Sequence, residues 1–215
     1  MNTEIISLSS EESIAKSLKL AVKFLKEGKI IAFPTDTLYG LGCDVFNNEA
    51  IRNLFDLKNR DYKKPINVLI GSKKQLTTVA KDLPTEIDRI IDEFWPGDLT
   101  LILSKKEEIP EILTGGLNTI GVRMPNNEIT LKLICEVNTP LATTSANISG
   151  KPSITEALQI YDNFKNKIPL ILDDGTSKIG TESTIVNLIS VPPKVIRQGS
   201  LSFQRLKKTI SDLEA

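Results

Sequence analysis

The chain has 215 residues, enough for one domain with a substantial core, and its 40% apolar and 25% charged content excludes a disordered chain. Its 27 basic and 27 acidic residues cancel, which excludes a global field for nucleic acid or an anionic membrane and leaves any basic site to be local. Histidine is absent, which removes the Ser/His/Asp triad, the Cys/His dyad and every histidine-ligated metal.

Met1-Asn2-Thr3-Glu4 lacks the basic start and apolar core of a signal peptide, and no apolar run has spanning length, so a cytoplasmic protein without membrane contact is expected. A helix is expected over Ser9 to Leu25, with Ser9 and Glu12 as a capping box, Ile14, Leu18, Ala21 and Leu25 on one face, and Gly28 as its stop. Lys29 to Phe33 reads as a short buried strand ended by Pro34. Thr35 to Gly42 then reads as a ligand loop, its glycines free to take unusual angles and its hydroxyls available; a plain turn is the alternative. A helix over Glu49 to Leu57 delivers Lys58-Asn59-Arg60 at its C-terminal end.

Further along, Ile66 to Ile70 reads as a strand, the stretch after Pro84 through Phe94 as a helix, Trp95-Pro96-Gly97 as a turn and Leu99 to Leu103 as a strand. Thr119 to Arg123 forms another strand, Ile129 to Cys135 a helix, and Pro140 to Thr143 a strand running into a hydroxyl-rich loop, Thr144 to Gly150. A helix over Thr155 to Phe164, strands at Leu170 to Leu172 and Ser183 to Leu188, an extended Lys194 to Arg197 and a helix over Leu201 to Leu213 complete the chain. Strands and helices intermingle without a linker or repeat, so one α/β domain over residues 1–215 with a mixed twisted sheet is expected. Cys43 and Cys135 are far apart without a CxxC pair and are read as buried free thiols.

Without histidine, chemistry falls to lysine, arginine, carboxylates, hydroxyls, backbone amides or a metal carried by the substrate, a set suited to phosphoryl or nucleotidyl transfer. Polar loops at Thr35 to Gly42, Lys58 to Lys64 and Thr143 to Ser153 border apolar strands, where open α/β sheets place ligands. Lys58 and Arg60 can face one anion, or form a solvated helix end. Arg123 ends an apolar strand and requires a carboxylate partner, in protein or ligand. Thr143-Thr144-Ser145-Ala146-Asn147 suits phosphate oxygens or a nucleotide, or caps the next helix. Glu182-Ser183-Thr184 is open in the same way.

Taken in order, Ala32 to Gly42, Lys58-Asn59-Arg60, Trp95-Pro96-Gly97, Val122-Arg123-Met124-Pro125, Ser145-Ala146-Asn147, Glu182-Ser183-Thr184 and Arg197-Gln198-Gly199 resemble the YrdC/Sua5 family, the threonylcarbamoyl-AMP synthases. The resemblance covers about residues 10–200. It implies a YrdC-like α/β fold, a twisted mixed sheet with flanking helices around a positively charged concave cavity. It also implies formation of threonylcarbamoyl-AMP and pyrophosphate from L-threonine, bicarbonate and ATP, for the N6-threonylcarbamoyl group on adenosine 37 of tRNA.

By matching motif positions, L-threonine would meet Thr35, Arg123, Thr143 and Ser183, with Arg123 on its carboxylate. ATP would meet Lys58, Arg60, Thr119, Ser145, Asn147, Ser153 and Arg197, with Lys58 and Arg60 also acting in catalysis. Magnesium would arrive on the nucleotide, with no tightly bound organic cofactor, and the partners would be the proteins of the tRNA threonylcarbamoyl-transfer machinery. Asp61 stands where many relatives have proline, and Leu69 where some longer relatives have histidine; the ending matches the short, TsaC-like form. The rival readings are an RNA-binding module, on tRNA or double-stranded RNA, and a carbamoyl-adenylate enzyme of the hydrogenase-maturation type, whose zinc modules have no counterpart here.

Overall fold

The computed structural model describes residues 2–215. Its strands are, in chain order, β1 (Glu4–Ser7), β2 (Ile31–Phe33), β3 (Gly40–Asp44), β4 (Asn67–Leu69), β5 (Ala80–Lys81), β6 (Leu99–Lys105), β7 (Thr119–Arg123), β8 (Leu141–Ser145), β9 (Leu170–Asp173), β10 (Thr184–Asn187) and β11 (Lys194–Arg197). Its helices are α1 (Glu11–Lys26), α2 (Asn48–Leu57), α3 (Leu76–Val79), α4 (Ile87–Phe94), α5 (Glu111–Thr114), α6 (Glu128–Val137), α7 (Ala157–Phe164) and α8 (Phe203–Thr209). The strands join one mixed sheet in the order β1-β9-β2-β3-β8-β4-β7-β6-β10-β11, with β5 paired to β6. The expected mixed α/β architecture is therefore present.

Successive strand residues point to opposite faces, and this alternation divides the apolar residues between two layers. Ala32, Leu41, Val68, Val122 and Ala142 face the larger core, where α2, α4 and α7 contribute Leu54, Ile90 and Ile160. Ile31, Phe33, Leu69, Leu141 and Leu172 face the other way, onto Leu18, Leu25, Leu133 and Val137 of α1 and α6.

The stretch after Pro34 departs from expectation. Gly40 to Gly42 are strand: β3 runs antiparallel to β2 with Phe33 opposite Gly40 and Ile31 opposite Gly42, so only residues 34–39 form the connection. Neither glycine is left-handed. Both are required by close approach, since a Cβ on Gly42 would lie 2.8 Å from the Phe33 ring and one on Gly40 2.9 Å from Thr143 Cγ2. Likewise β8 continues through Thr144 and Ser145, which were expected in a loop, because Thr143 and Ser145 pair with Gly42 and Gly40.

Smaller differences have local causes. Ser10, rather than Ser9, caps α1, its Oγ accepting from the Ser13 amide at 3.2 Å. Cys43 is buried as expected, but Cys135 is exposed because α6 turns Leu133, Ile134 and Val137 inward. The closing helix stops at Thr209, short of Leu213. β1, α3, β5 and α5 carry no signal strong enough to be anticipated; each is four residues or shorter. No helix among the described residues is long and apolar enough to cross a membrane.

Candidate ligand cavity on the sheet

Where the α1 and α6 face of the sheet runs beyond those helices, it forms the floor of a cavity of about 720 Å³ including its open mouth. Register explains the floor. Asn67 lies opposite Thr143, Leu69 opposite both Leu141 and Arg123, and Ser145 opposite Gly40, and residues in register share a face. Thr35, Arg60, Arg123, Thr143, Ser145, Ser183 and Arg197, named from sequence, all line this cavity.

Lys58 and Asn147 stand directly behind that lining. Lys58 is buried beyond the end of α2, its Nζ donating to the Ser145 carbonyl and, at 3.5 Å, to Asn147 Oδ1. Asn147 Oδ1 also accepts from Ser145 Oγ at 2.6 Å. Burial first, and the Arg60 charge second, push the Lys58 amine down to about 7, against the opposing pull of Glu182. Ser153 lies apart from the cavity in a neighbouring hollow that Asn147 and Lys151 share. Thr119 begins β7 on the same face as Arg123 but does not line the cavity walls.

Arg123 has its carboxylate partner within the protein. Its Nη2 donates to Asp36 Oδ1 at 2.5 Å, its Nη1 to Thr37 Oγ1 at 2.6 Å and its Nε to the Gly97 carbonyl at 2.8 Å. Three of five N–H groups are thereby committed, leaving one on each terminal nitrogen. Burial draws the guanidinium pKa down while Asp36 opposes that shift. Thr35 is similarly occupied: its Oγ1 donates to the Leu38 carbonyl at 2.5 Å and accepts from the Thr37 and Leu38 amides at 3.2 Å each. Its hydroxyl therefore holds the hairpin connection in shape.

On the opposite wall, Arg197 pairs with Glu182 at 2.6 Å and donates from Nη2 to the Ser183 carbonyl at 2.9 Å, while Ser183 and Thr100 hydroxyls meet at 2.8 Å. Arg60 is fixed by donation to the carbonyls of Lys64 and Pro65 at 3.0 and 2.8 Å. Arginines thus outnumber carboxylates on the lining, with Lys58 adding charge from behind when protonated. Such a set can bind a polyanion and orient a second, carboxylate-bearing molecule. Asp36, Thr37, Asn67 and Thr100 were not assigned from sequence. Asp36 and Thr37 both stood in the quoted motif, Thr37 among the hydroxyls of the ligand loop; Asn67 and Thr100 emerge only from pairing register.

Fold and cavity define an α/β protein with an arginine-lined pocket across a mixed sheet. A family model, Sua5/YciO/YrdC, described as "Telomere recombination", matches residues 23–199. The chain belongs to that family. It is 43% identical over 196 residues to the threonylcarbamoyl-AMP synthase of Pyrococcus abyssi, covering 91% of this chain and 58% of that protein. It is 35% identical to the threonylcarbamoyl-AMP synthase of Coxiella burnetii, over 75% of this chain and 87% of that one. The crystal structure of P. abyssi Sua5 complexed with L-threonine superposes with a TM-score of 0.93 at 41% identity, over 99% of this chain and 63% of that one. The chain thus spans little more than half of the P. abyssi protein.

Proposed function

We propose that this chain forms threonylcarbamoyl-AMP and pyrophosphate from L-threonine, bicarbonate and ATP, supplying the tRNA machinery that makes N6-threonylcarbamoyladenosine at position 37. The observation that carries this reading is the cavity itself, where Arg60, Arg123 and Arg197 converge over a floor of hydroxyl and amide side chains. Relatives of the same fold bear the synthase name, and one was crystallised with L-threonine.

In this reading the two free N–H groups of Arg123 take the threonine carboxylate, with Thr143, Ser183 and the Thr35 loop around the side chain. Lys58, Arg60 and Arg197 screen the triphosphate, and Ser145 and Asn147 hold the nucleotide beside them, with Thr119 and Ser153 outside the cavity lining. Magnesium enters as part of the MgATP substrate. The amine of threonine and bicarbonate give a carbamate and water. A carbamate oxygen then bonds to the α-phosphorus as the bond to pyrophosphate breaks. Neither step needs an enzyme nucleophile, so the protein's work is alignment, charge screening and exclusion of water.

The test is pyrophosphate release from ATP by the purified chain. Release that requires both L-threonine and bicarbonate is expected; equal release without threonine refutes the reading.

A further inference from the structure

Asn67 is the one amide side chain on the cavity lining, and its setting is built for it. It lies opposite Thr143 on β8 and level with Gly121 on β7. A Cβ on Gly121 would lie 2.4 Å from Asn67 Oδ1, so the amide rests in the space that the missing side chain provides. Asn147, by contrast, accepts from Ser145 Oγ and donates to the Ile148 and Lys151 carbonyls. The Asn67 side chain is hydrogen-bonded by no protein group among the described residues, yet it faces a cavity of charged and hydroxyl groups.

Pairing also fixes where along the cavity the amide stands. One row across the sheet carries Leu141, Leu69 and Arg123, and another carries Gly40 and Ser145. The row between them carries Gly42, Thr143, Asn67 and Gly121. Under the proposed function, the first row holds threonine and the second ATP. The middle row is then where the amino group, the one-carbon unit and the α-phosphate meet. The group there that most needs a neutral donor is an anionic carboxyl oxygen, first of bicarbonate and then of the carbamate. A lysine or arginine at the same place would compete with the nearby cations; an amide adds a directed N–H without charge.

We propose that the Asn67 side-chain amide, seated on Gly121, binds the bicarbonate-derived oxygen and orients the carbamate toward the α-phosphate. This rests on the proposed function. Gly121 acts through Asn67 as a positioning residue, and its φ is not left-handed, so alanine is sterically allowed there provided the amide moves aside.

The experiment is steady-state pyrophosphate release by wild type, Asn67→Ala, Asn67→Asp, Gly121→Ala and the Asn67→Ala/Gly121→Ala double variant, with bicarbonate varied at saturating threonine and ATP. Threonine and ATP affinities are measured in parallel by calorimetry, and folding by circular dichroism. Expected is a fall of about tenfold or more in kcat/KM for bicarbonate in both alanine variants, on the scale of losing one oriented donor. Asn67→Asp, which replaces the donor with a negative charge at the same shape, is expected to lose more. Threonine and ATP affinities should stay within about twofold, and the double variant should be no worse than Asn67→Ala, because Gly121 acts only through the amide. Unchanged bicarbonate dependence in folded Asn67→Ala overturns the proposal, as does an additive double variant. Absence of threonine- and bicarbonate-dependent turnover in wild type instead overturns the proposed function itself.

Discussion

Replacing Lys58 with methionine is expected to strengthen the ligand-free fold while weakening turnover. Lys58 is 2% exposed, and its amine has a carbonyl and an amide oxygen, rather than a carboxylate, as its partners. It titrates at about 7 instead of 10.5. At about 1.4 kcal/mol per pKa unit, holding it protonated in the native state costs up to about 5 kcal/mol relative to the unfolded chain. Because the native pKa is the lower one, the unfolded chain binds the extra proton between about pH 7 and 10.5. Wild-type stability therefore rises with pH through that window and is lowest below it, where both states are protonated. Methionine keeps the straight side chain and removes the charge. After allowing about 1 kcal/mol for the Ser145 carbonyl left unpaired, Lys58→Met should gain about 3–4 kcal/mol at pH 6 and only about 1 at pH 9. Urea denaturation of both proteins across that range measures the gap. A gap that does not narrow with pH, or a variant less stable throughout, refutes the account of a strained buried amine.

Two further outcomes follow from the hairpin. Gly42→Ala should destabilise by about 1–3 kcal/mol, the usual range for overpacking, because its Cβ would press on the fully buried Phe33 ring at 2.8 Å; thermal unfolding within error of wild type contradicts this. Asp36→Ala strands the Arg123 guanidinium without its carboxylate and should destabilise by about 3–5 kcal/mol, whereas Asp36→Asn, which keeps an acceptor, should lose less; a loss below about 1 kcal/mol for Asp36→Ala in denaturant unfolding would remove the ion pair from the explanation.

Helices with a full apolar face were legible in the chain. The faces of α1 and α2 follow from Leu18, Ala21 and Leu25, and from Ile51, Leu54 and Phe55. The strand at Thr119–Arg123 was read to its exact ends, because polar and apolar neighbours bound it sharply. Gly40 to Gly42 and Thr144 to Ser145 misled for one physical reason. Glycine and hydroxyl residues signal loops in isolation, but here they are strand residues whose small size leaves room for Phe33 and for the cavity. The cavity's cationic residues were likewise visible one at a time, as Lys58, Arg60, Arg123 and Arg197. Their charge balance was not, since Asp36 and Glu182 neutralise part of it through contacts across 87 and 15 positions of sequence. Asn67 was hidden for the same reason: its place on the lining is a matter of register with Thr143 and of the empty place at Gly121.

The hairpin connection is also tied to the segment before β10. Tyr39 donates its hydroxyl to the Gly175 carbonyl at 2.7 Å and accepts from the Asp174 amide at 3.1 Å, while the Ile179 and Gly180 amides donate to the Asp36 and Thr37 carbonyls at 3.0 and 2.9 Å. Asp36 and Thr37 are also the residues that grip Arg123. One peptide strap thus fastens to the same dipeptide that aims the guanidinium. Loosening the strap and loosening Arg123 become one event, so hydrogen exchange at Ile179 and Gly180 should report, from the surface, the order of a charge buried beneath it.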